Sequence, residues 1–114
     1  MKLFTGNLYL ELKDEPEEKY AAEISRAIFR ETELVLEFNG TDSHFGSYRG
    51  KCTLRSDGTS FVGIGEFTKN GSTTPASIQA IGEHFGEDIS LVGHWQDEGE
   101  SEIYDLQIEL EKQK

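Results

Sequence analysis

Residues 48–110 decide the fold, and they read YRGKCTLRSDGTSFVGIGEFTKNGSTTPASIQAIGEHFGEDISLVGHWQDEGESEIYDLQIEL. Four turn signals divide this stretch into five segments in which apolar and polar residues alternate: Asp57-Gly58, Asn70-Gly71, Gly86-Glu87 and Gly99-Glu100. The first two signals favour type I′ turns and the last two favour type II′, because Gly, Asn and Asp accept the positive φ angles that these turns need. We therefore expect five antiparallel strands joined by tight turns.

Closing each turn around its central dipeptide predicts the strand registers. The predicted partners are Leu54 with Phe61, Phe67 with Thr74, Ile78 with Trp95, His84 with Ile89, and Trp95 with Tyr104. These registers agree on one apolar inner face, which carries Tyr48, Cys52, Leu54, Phe61, Phe67, Ala76, Ile78, Ala80, Ile89, Leu91, Trp95, Tyr104, Leu106, Ile108 and Leu110. The outer face is mostly polar but also holds Val62, Ile64, Ile81, Phe85, Val92 and Ile103. Either something covers part of that face, or the protein associates through it.

The stretch 15–30 predicts a short helix that caps one end of the sheet. Pro16 and the acidic residues around it are typical of a first helical turn, where the helix dipole favours negative charge. A strand is the alternative. In strict alternation, however, it would turn Arg26 and Arg30 inward with Ile24, and burying an unpaired arginine is costly.

Strands are also predicted over 4–12 and 33–38, and a loop over 39–43 then pairs Phe38 with His44 and Leu34 with Tyr48. Several glycines share the inner face with the aromatic residues, which is typical of a sheet that curls toward closure. The predicted fold class is mainly β: an antiparallel up-and-down meander of seven or eight strands, curled into a small barrel.

Composition bounds the domain organisation and the partners. The 114 residues suit one domain, spanning 1–114. The formal net charge of -11 argues against nucleic acid and against anionic membrane surfaces, which require clustered Lys and Arg. Neither a signal-peptide core nor a run of about 20 apolar residues is present. We expect a soluble, cytoplasmic protein whose single cysteine, Cys52, is a small buried side chain.

The meander, the Gly93-His94-Trp95 stretch and the aromatic inner face resemble the calycin type of small ligand-binding barrel, which includes the lipocalins and avidins. The resemblance concerns architecture over about residues 3–111. The lipocalin-type Gly-x-Trp belongs to the first strand, whereas here it lies on the penultimate strand and Thr5-Gly6-Asn7 occupies the first. No functional residue is therefore carried over.

The inner aromatic residues are the candidate site. Large rings among glycines either interdigitate into a filled core or leave a cavity, and both alternatives stay open. The leading expectation is non-catalytic binding of a small, largely apolar or aromatic ligand inside the barrel, by Trp95, Tyr104, Tyr48, Phe61 and Phe67, with His84 as the polar contact. The alternative is a protein-interaction module: an inhibitor or immunity-type partner of a basic protein, or a homodimer formed through the outer apolar residues.

Catalysis, metals and cofactors receive little support from the sequence. His44, His84 and His94 show no metal-ligand spacing, no serine lies in a Gly-x-Ser-x-Gly elbow, and the glycine pairs lie inside strands rather than in phosphate loops. The acidic runs 15–18 and 97–102 lack the spacing of a calcium loop. We expect no cofactor, and an enzyme is the third hypothesis.

Overall fold

A computed structural model describes residues 1–43 and 46–113, with the backbone alone at 16–18 and 84–85. These residues form eight strands: β1 (Lys2–Leu12), β2 (Glu15–Arg30), β3 (Glu33–Asp42), β4 (Gly46–Asp57), β5 (Ser60–Lys69), β6 (Ser72–Phe85), β7 (Asp88–Asp97) and β8 (Tyr104–Lys112). Each strand pairs antiparallel with the next, and β8 pairs with β1 to close a barrel. The predicted up-and-down meander and its closure into a barrel are confirmed.

Three of the four predicted registers are correct. Phe67 pairs with Thr74, His84 with Ile89, and Trp95 with Tyr104. The β5–β6 turn has the two positive φ angles of a type I′ turn, 49° at Asn70 and 77° at Gly71. The β7–β8 connection is wider than predicted, because pairing stops at Trp95 and Tyr104 and residues 98–103 form a loop.

The β4–β5 turn lies one residue later than predicted. Asp57 pairs with Ser60, so the central residues are Gly58 and Thr59, and Gly58 takes the positive φ of 69°. Glycine alone can supply the single positive φ of a type II′ turn, and Asp57 is then free to continue the strand. Leu54 therefore faces Gly63 rather than Phe61. The shift is two residues in register, so the inner face is unchanged.

The predicted helix over 15–30 is wrong, because these residues form β2. Its pairing slips by one residue against β3 between Ile24 and Arg26, and against β1 between Phe4 and Gly6. This β-bulge leaves two consecutive residues exposed, Ser25 and Arg26, and returns Ala27 to the interior. The bulge thus removes the objection to a strand, since no arginine has to enter the core.

The predicted loop over 39–43 is also wrong. Strand β3 continues through Asp42, which pairs with Gly46, and Leu34 pairs with Leu54 instead of Tyr48. Phe38 pairs with Gly50, and the predicted partner His44 lies outside the described residues. The longer pairing gives residues 39–42 backbone partners on β4, whereas a loop would leave more of their N–H and C=O groups to water.

The inner face forms one core to which all eight described strands contribute. The predicted residues of this face are buried in it, and Phe67 and Tyr104 are half-buried and pack against it. No polar or charged residue is buried among the residues whose side chains are described. The hydrophobic effect of this continuous apolar interior therefore holds the barrel together.

Candidate functional site

The interior rings lie toward two ends of the barrel. One end carries the β1–β2, β3–β4, β5–β6 and β7–β8 connections, and Tyr48, Phe67 and Tyr104 lie near it. Phe61 lies near the other end, beside Phe29 at a ring-centroid distance of 6.1 Å. The sequence-predicted residues are therefore not one cluster.

Trp95 lies deep in the interior and is 1% exposed. Its indole Nε1–H donates a hydrogen bond of 2.9 Å to Oδ1 of Asp97, two residues along the same strand. The ring stands edge-on to Phe38, with centroids 6.2 Å apart. The one polar atom of this large side chain therefore has a partner, as a buried indole requires.

Tyr48 on β4 contacts the ring of Phe67 and the backbone of β2, which lies beyond β3 in the sheet. Its ring stacks on Phe67 with centroids 5.0 Å apart, and its hydroxyl donates a hydrogen bond of 3.0 Å to the carbonyl oxygen of Ala21. Burial, reinforced by the negative charge of Asp42, raises the pKa of the Tyr48 hydroxyl above its ordinary value. The phenol thus acts as a neutral hydrogen-bond donor.

The rings of Tyr20, Tyr48, Phe67 and Tyr104 form one cluster, which we call the Tyr20 cluster, and Tyr20 is the member that the sequence analysis missed. Its ring lies 5.6 Å from Tyr48, 5.3 Å from Phe67 and 6.3 Å from Tyr104, measured between centroids. The helical interpretation of 15–30 concealed it. Alternation of Tyr20, Ala22 and Ile24 was the signal that would have placed it on the inner face.

His84, the predicted polar contact, pairs with Ile89 next to the β6–β7 turn, at the end of the barrel opposite the Tyr20 cluster. The structure does not describe the side chain of His84. Its strand position nevertheless separates it from Tyr48, Phe67 and Tyr104, so these residues do not share one site with His84.

Rings occupy the room left by several glycines. A Cβ atom added at Gly65 would lie 2.6 Å from Cζ3 of Trp95, and one added at Gly82 would lie 2.5 Å from Cε1 of Phe61. At Gly50 an added Cβ would collide with the ring of Phe38. Of the two alternatives for the inner face, the structure therefore favours interdigitation at these positions.

An open hollow remains at the end of the barrel that carries the Tyr20 cluster. We call it the aromatic hollow; its volume is about 160 Å³, and it is lined by Leu10, Tyr20, Phe67, Lys69, Thr74, Trp95, Asp97, Glu100 and Tyr104. Three of the six predicted site residues therefore line one concave surface: Phe67, Trp95 and Tyr104. Apolar walls with polar groups at the rim are the usual composition of a small-molecule site.

The outer face also has an apolar region. Val62, Ile64, Ile81 and Val92 are 47%, 62%, 65% and 60% exposed, and we call these four residues the outer patch. A groove of about 800 Å³ runs over part of it and continues past Tyr9 on β1. Phe85, which the sequence also placed on this face, has no described side chain. Contiguous exposed apolar residues of this kind mark contact surfaces more often than single ones do.

Cys52 is a free, fully buried cysteine, and burial raises the pKa of its thiol far above the ordinary range. A buried thiol that stays protonated is a poor nucleophile and a poor metal ligand. Among the described residues, no group of three or more His, Cys, Asp or Glu side chains is arranged to hold a metal ion. Nor does that part of the chain contain a helix long and apolar enough to cross a membrane.

No protein-family model, curated protein or solved structure matches this chain.

Proposed function

We propose that the protein binds a small aromatic molecule, without catalysis, in the aromatic hollow at one end of the barrel. The observation that carries the proposal is the convergence of four rings, those of Tyr20, Phe67, Trp95 and Tyr104, on one open hollow. Kinship with the ligand-binding calycin barrels forms part of this proposal, and the closed eight-stranded architecture supports it.

The volume limits the size of the ligand. A cavity of about 150 Å³ holds one benzene molecule, whereas drug-sized ligands occupy roughly 300–1,000 Å³. The hollow, at about 160 Å³, therefore suits a single aromatic ring with a short substituent. The ring would pack edge-on or offset against the aromatic walls, which is the arrangement that the quadrupoles of aromatic rings favour.

The rim decides the orientation of the ligand. Lys69, Thr74, Asp97 and Glu100 are the polar residues that line the hollow. The ring would enter first, because its desolvation supplies the driving force, and a polar substituent would stay at the rim. Asp97 also accepts the Trp95 indole hydrogen bond, so a substituent that contacts Asp97 changes the environment of the indole.

The expected affinity is modest. Burying about 150 Å² of apolar ligand surface at about 25 cal/mol per Å² contributes about 4 kcal/mol, which corresponds to a Kd near 1 mM. Each good hydrogen bond at the rim adds about 1 kcal/mol. We therefore expect Kd values between about 0.1 and 1 mM for single-ring ligands with one polar substituent.

The experiment is a titration of the protein with phenol, benzylamine, benzoate and cyclohexanol, followed by two-dimensional NMR and by indole fluorescence. Trp95 is the single tryptophan, so the fluorescence reports on the hollow alone. We expect shifts at the Trp95 indole N–H and at the backbone amides of Phe67, Lys69 and Tyr104. Shifts scattered over the barrel, or saturable binding of none of the four compounds up to 10 mM, would contradict the proposal.

The test variant is Tyr104→Ala, because Tyr104 is half-buried, whereas truncating the fully buried Trp95 would cost about 3–5 kcal/mol of stability. We expect Tyr104→Ala to weaken binding at least tenfold. The matched control is Tyr9→Ala, which removes the same side chain from the outer face, where Tyr9 is 39% exposed. Equal weakening by both variants would show that the ligand does not sit in the hollow.

A further inference from the structure

The negative charge of the protein is concentrated in one segment of the chain. Residues 70–112, which include β6, β7 and β8, contain ten carboxylate side chains and one basic side chain, that of Lys112. The formal charge of this segment is therefore -9, out of -11 for the whole chain. Lys112 is already paired, because its Nζ lies 2.9 Å from Oε1 of Glu87.

The outer patch lies partly on the strands of this acidic segment, with Ile81 on β6 and Val92 on β7. Its other two residues are on the adjacent strand β5. Ile81 on β6 pairs with Val92 on β7, so the two side chains are direct neighbours on the outer face. Val62 pairs with Gln79, two residues from Ile81, which places Val62 diagonally beside Ile81. These apolar side chains are therefore contiguous across three strands.

Carboxylates border the patch on β5 and β6, and on the β4 side Arg55 pairs with Val62. Glu83 follows Ile81 by two residues on the same face of β6, and Glu66 stands in the same relation to Ile64 on β5. Glu83 and Glu109 are both paired with Ser90, whose hydroxyl donates to Oε1 of Glu109 at 2.9 Å. An apolar centre with a charged border is the usual composition of a protein–protein interface.

We propose that the outer wall formed by β5 to β8 docks a basic protein, whose apolar side chains cover the outer patch and whose Lys and Arg side chains meet the bordering carboxylates. The occupant follows from charge. A second copy of this chain would bring two acidic surfaces face to face, and like charges across an interface oppose association, whereas a basic surface is complementary.

The partner docks through side chains, because the described strands form a closed barrel and each has a neighbour on both sides. Addition of a partner strand would require a free sheet edge. The outer wall formed by β5 to β8 and the aromatic hollow are different surfaces of the barrel, so this proposal is independent of the proposed function.

The test uses a probe of defined chemistry: a 20-residue amphipathic helical peptide with a leucine face bordered by lysines. Binding is measured by fluorescence anisotropy at 50 and 200 mM salt. For the wild-type protein we expect saturable binding that weakens about tenfold at the higher salt concentration, because salt screens the exposed charges. No binding up to 1 mM peptide would overturn the proposal.

The double variant Ile81→Ser/Val92→Ser removes the centre of the patch and leaves every charge in place. We expect it to weaken binding at least tenfold with an unchanged circular dichroism spectrum, since both side chains are exposed. The matched control is Leu3→Ser, an exposed leucine on β1 outside the patch, and it should bind as wild type does. Unchanged binding by the double variant would mean that the peptide binds only through nonspecific charge attraction, and it would overturn the proposal.

Sedimentation of the protein alone tests whether a second copy of this chain covers the outer patch. We expect a monomer at 100 μM and 150 mM salt. A dimer that Ile81→Ser/Val92→Ser converts to a monomer would assign the outer patch to self-association, and this outcome would also overturn the proposal of a basic partner.

Discussion

Replacing Gly65 by alanine tests whether rings fill the interior of the barrel. The added methyl group would lie 2.6 Å from Cζ3 and 2.7 Å from Cη2 of Trp95, and 2.9 Å from Cδ1 of Ile78. Carbon atoms pack best at about 3.5–4.0 Å, so the indole would have to move by about 1 Å. Trp95 is held by Asp97 at 2.9 Å and lies against Phe38, which opposes that movement.

The sign of the stability change separates a filled interior from an empty one. Overpacking a core costs about 1–3 kcal/mol, while alanine in a strand gains roughly 0.5–1 kcal/mol over glycine in backbone entropy. Gly65 has no positive φ angle, so the backbone accepts alanine without strain. We expect Gly65→Ala to destabilise the protein by about 1–2 kcal/mol and to lower Tm by about 5–10 °C. In an empty cavity the same methyl group would stabilise the protein by about 1 kcal/mol.

The assay is urea unfolding followed by far-ultraviolet circular dichroism, because that signal does not depend on Trp95. The control repeats Gly65→Ala in a Trp95→Phe background, which lacks the second ring whose atoms the new methyl group would meet. We expect the cost of Gly65→Ala to fall by about 1 kcal/mol in that background, since contacting residues are energetically coupled. A higher urea midpoint for the single variant Gly65→Ala would refute the filled interior.

Two further predictions concern the hydroxyl of Tyr48 and the thiol of Cys52. Tyr48→Phe removes the hydrogen bond to Ala21 and should cost about 1 kcal/mol at pH 7. Because the pKa of Tyr48 is raised in the folded protein, the contribution of its hydroxyl to stability is complete below about pH 10 and is lost as pH rises through the raised pKa. The urea midpoints of wild type and variant should therefore converge at alkaline pH. A constant difference between the two midpoints across this pH range would contradict the prediction. Cys52 should react with a thiol reagent at least about a thousandfold more slowly in native protein than in urea, because labelling requires unfolding, and rapid native labelling would contradict its burial.

The inner face could be predicted from the sequence because two local rules act together there. Turn dipeptides fix the registers of β5–β6 and β6–β7, and alternation with period two then assigns every side chain to a face. Even the misplaced β4–β5 turn moved the register by an even number of residues. Leu54 consequently kept its face although its partner changed from Phe61 to Gly63.

Strand β2 could not be predicted by the same rules, because a bulge interrupts its alternation. Tyr20, Ala22 and Ile24 point inward, but the next buried residue is Ala27, three positions on, and this spacing is also compatible with a helix. Which of the two forms depends on pairing with β1 and β3, which is not a local property of the sequence. The error removed Tyr20 from the predicted site.

The aromatic hollow depends on the same long-range information. Which glycine a ring covers is set by the register of strands far apart in sequence and by the rotamer of the ring, so Trp95 over Gly65 and Phe61 over Gly82 could not be derived from alternation alone. Once those rings fill the middle of the barrel, ligand-sized space can remain only where the packing ends. Both proposed binding surfaces accordingly lie outside the filled middle: the end lined by Tyr20 and Tyr104, and the outer face around Ile81.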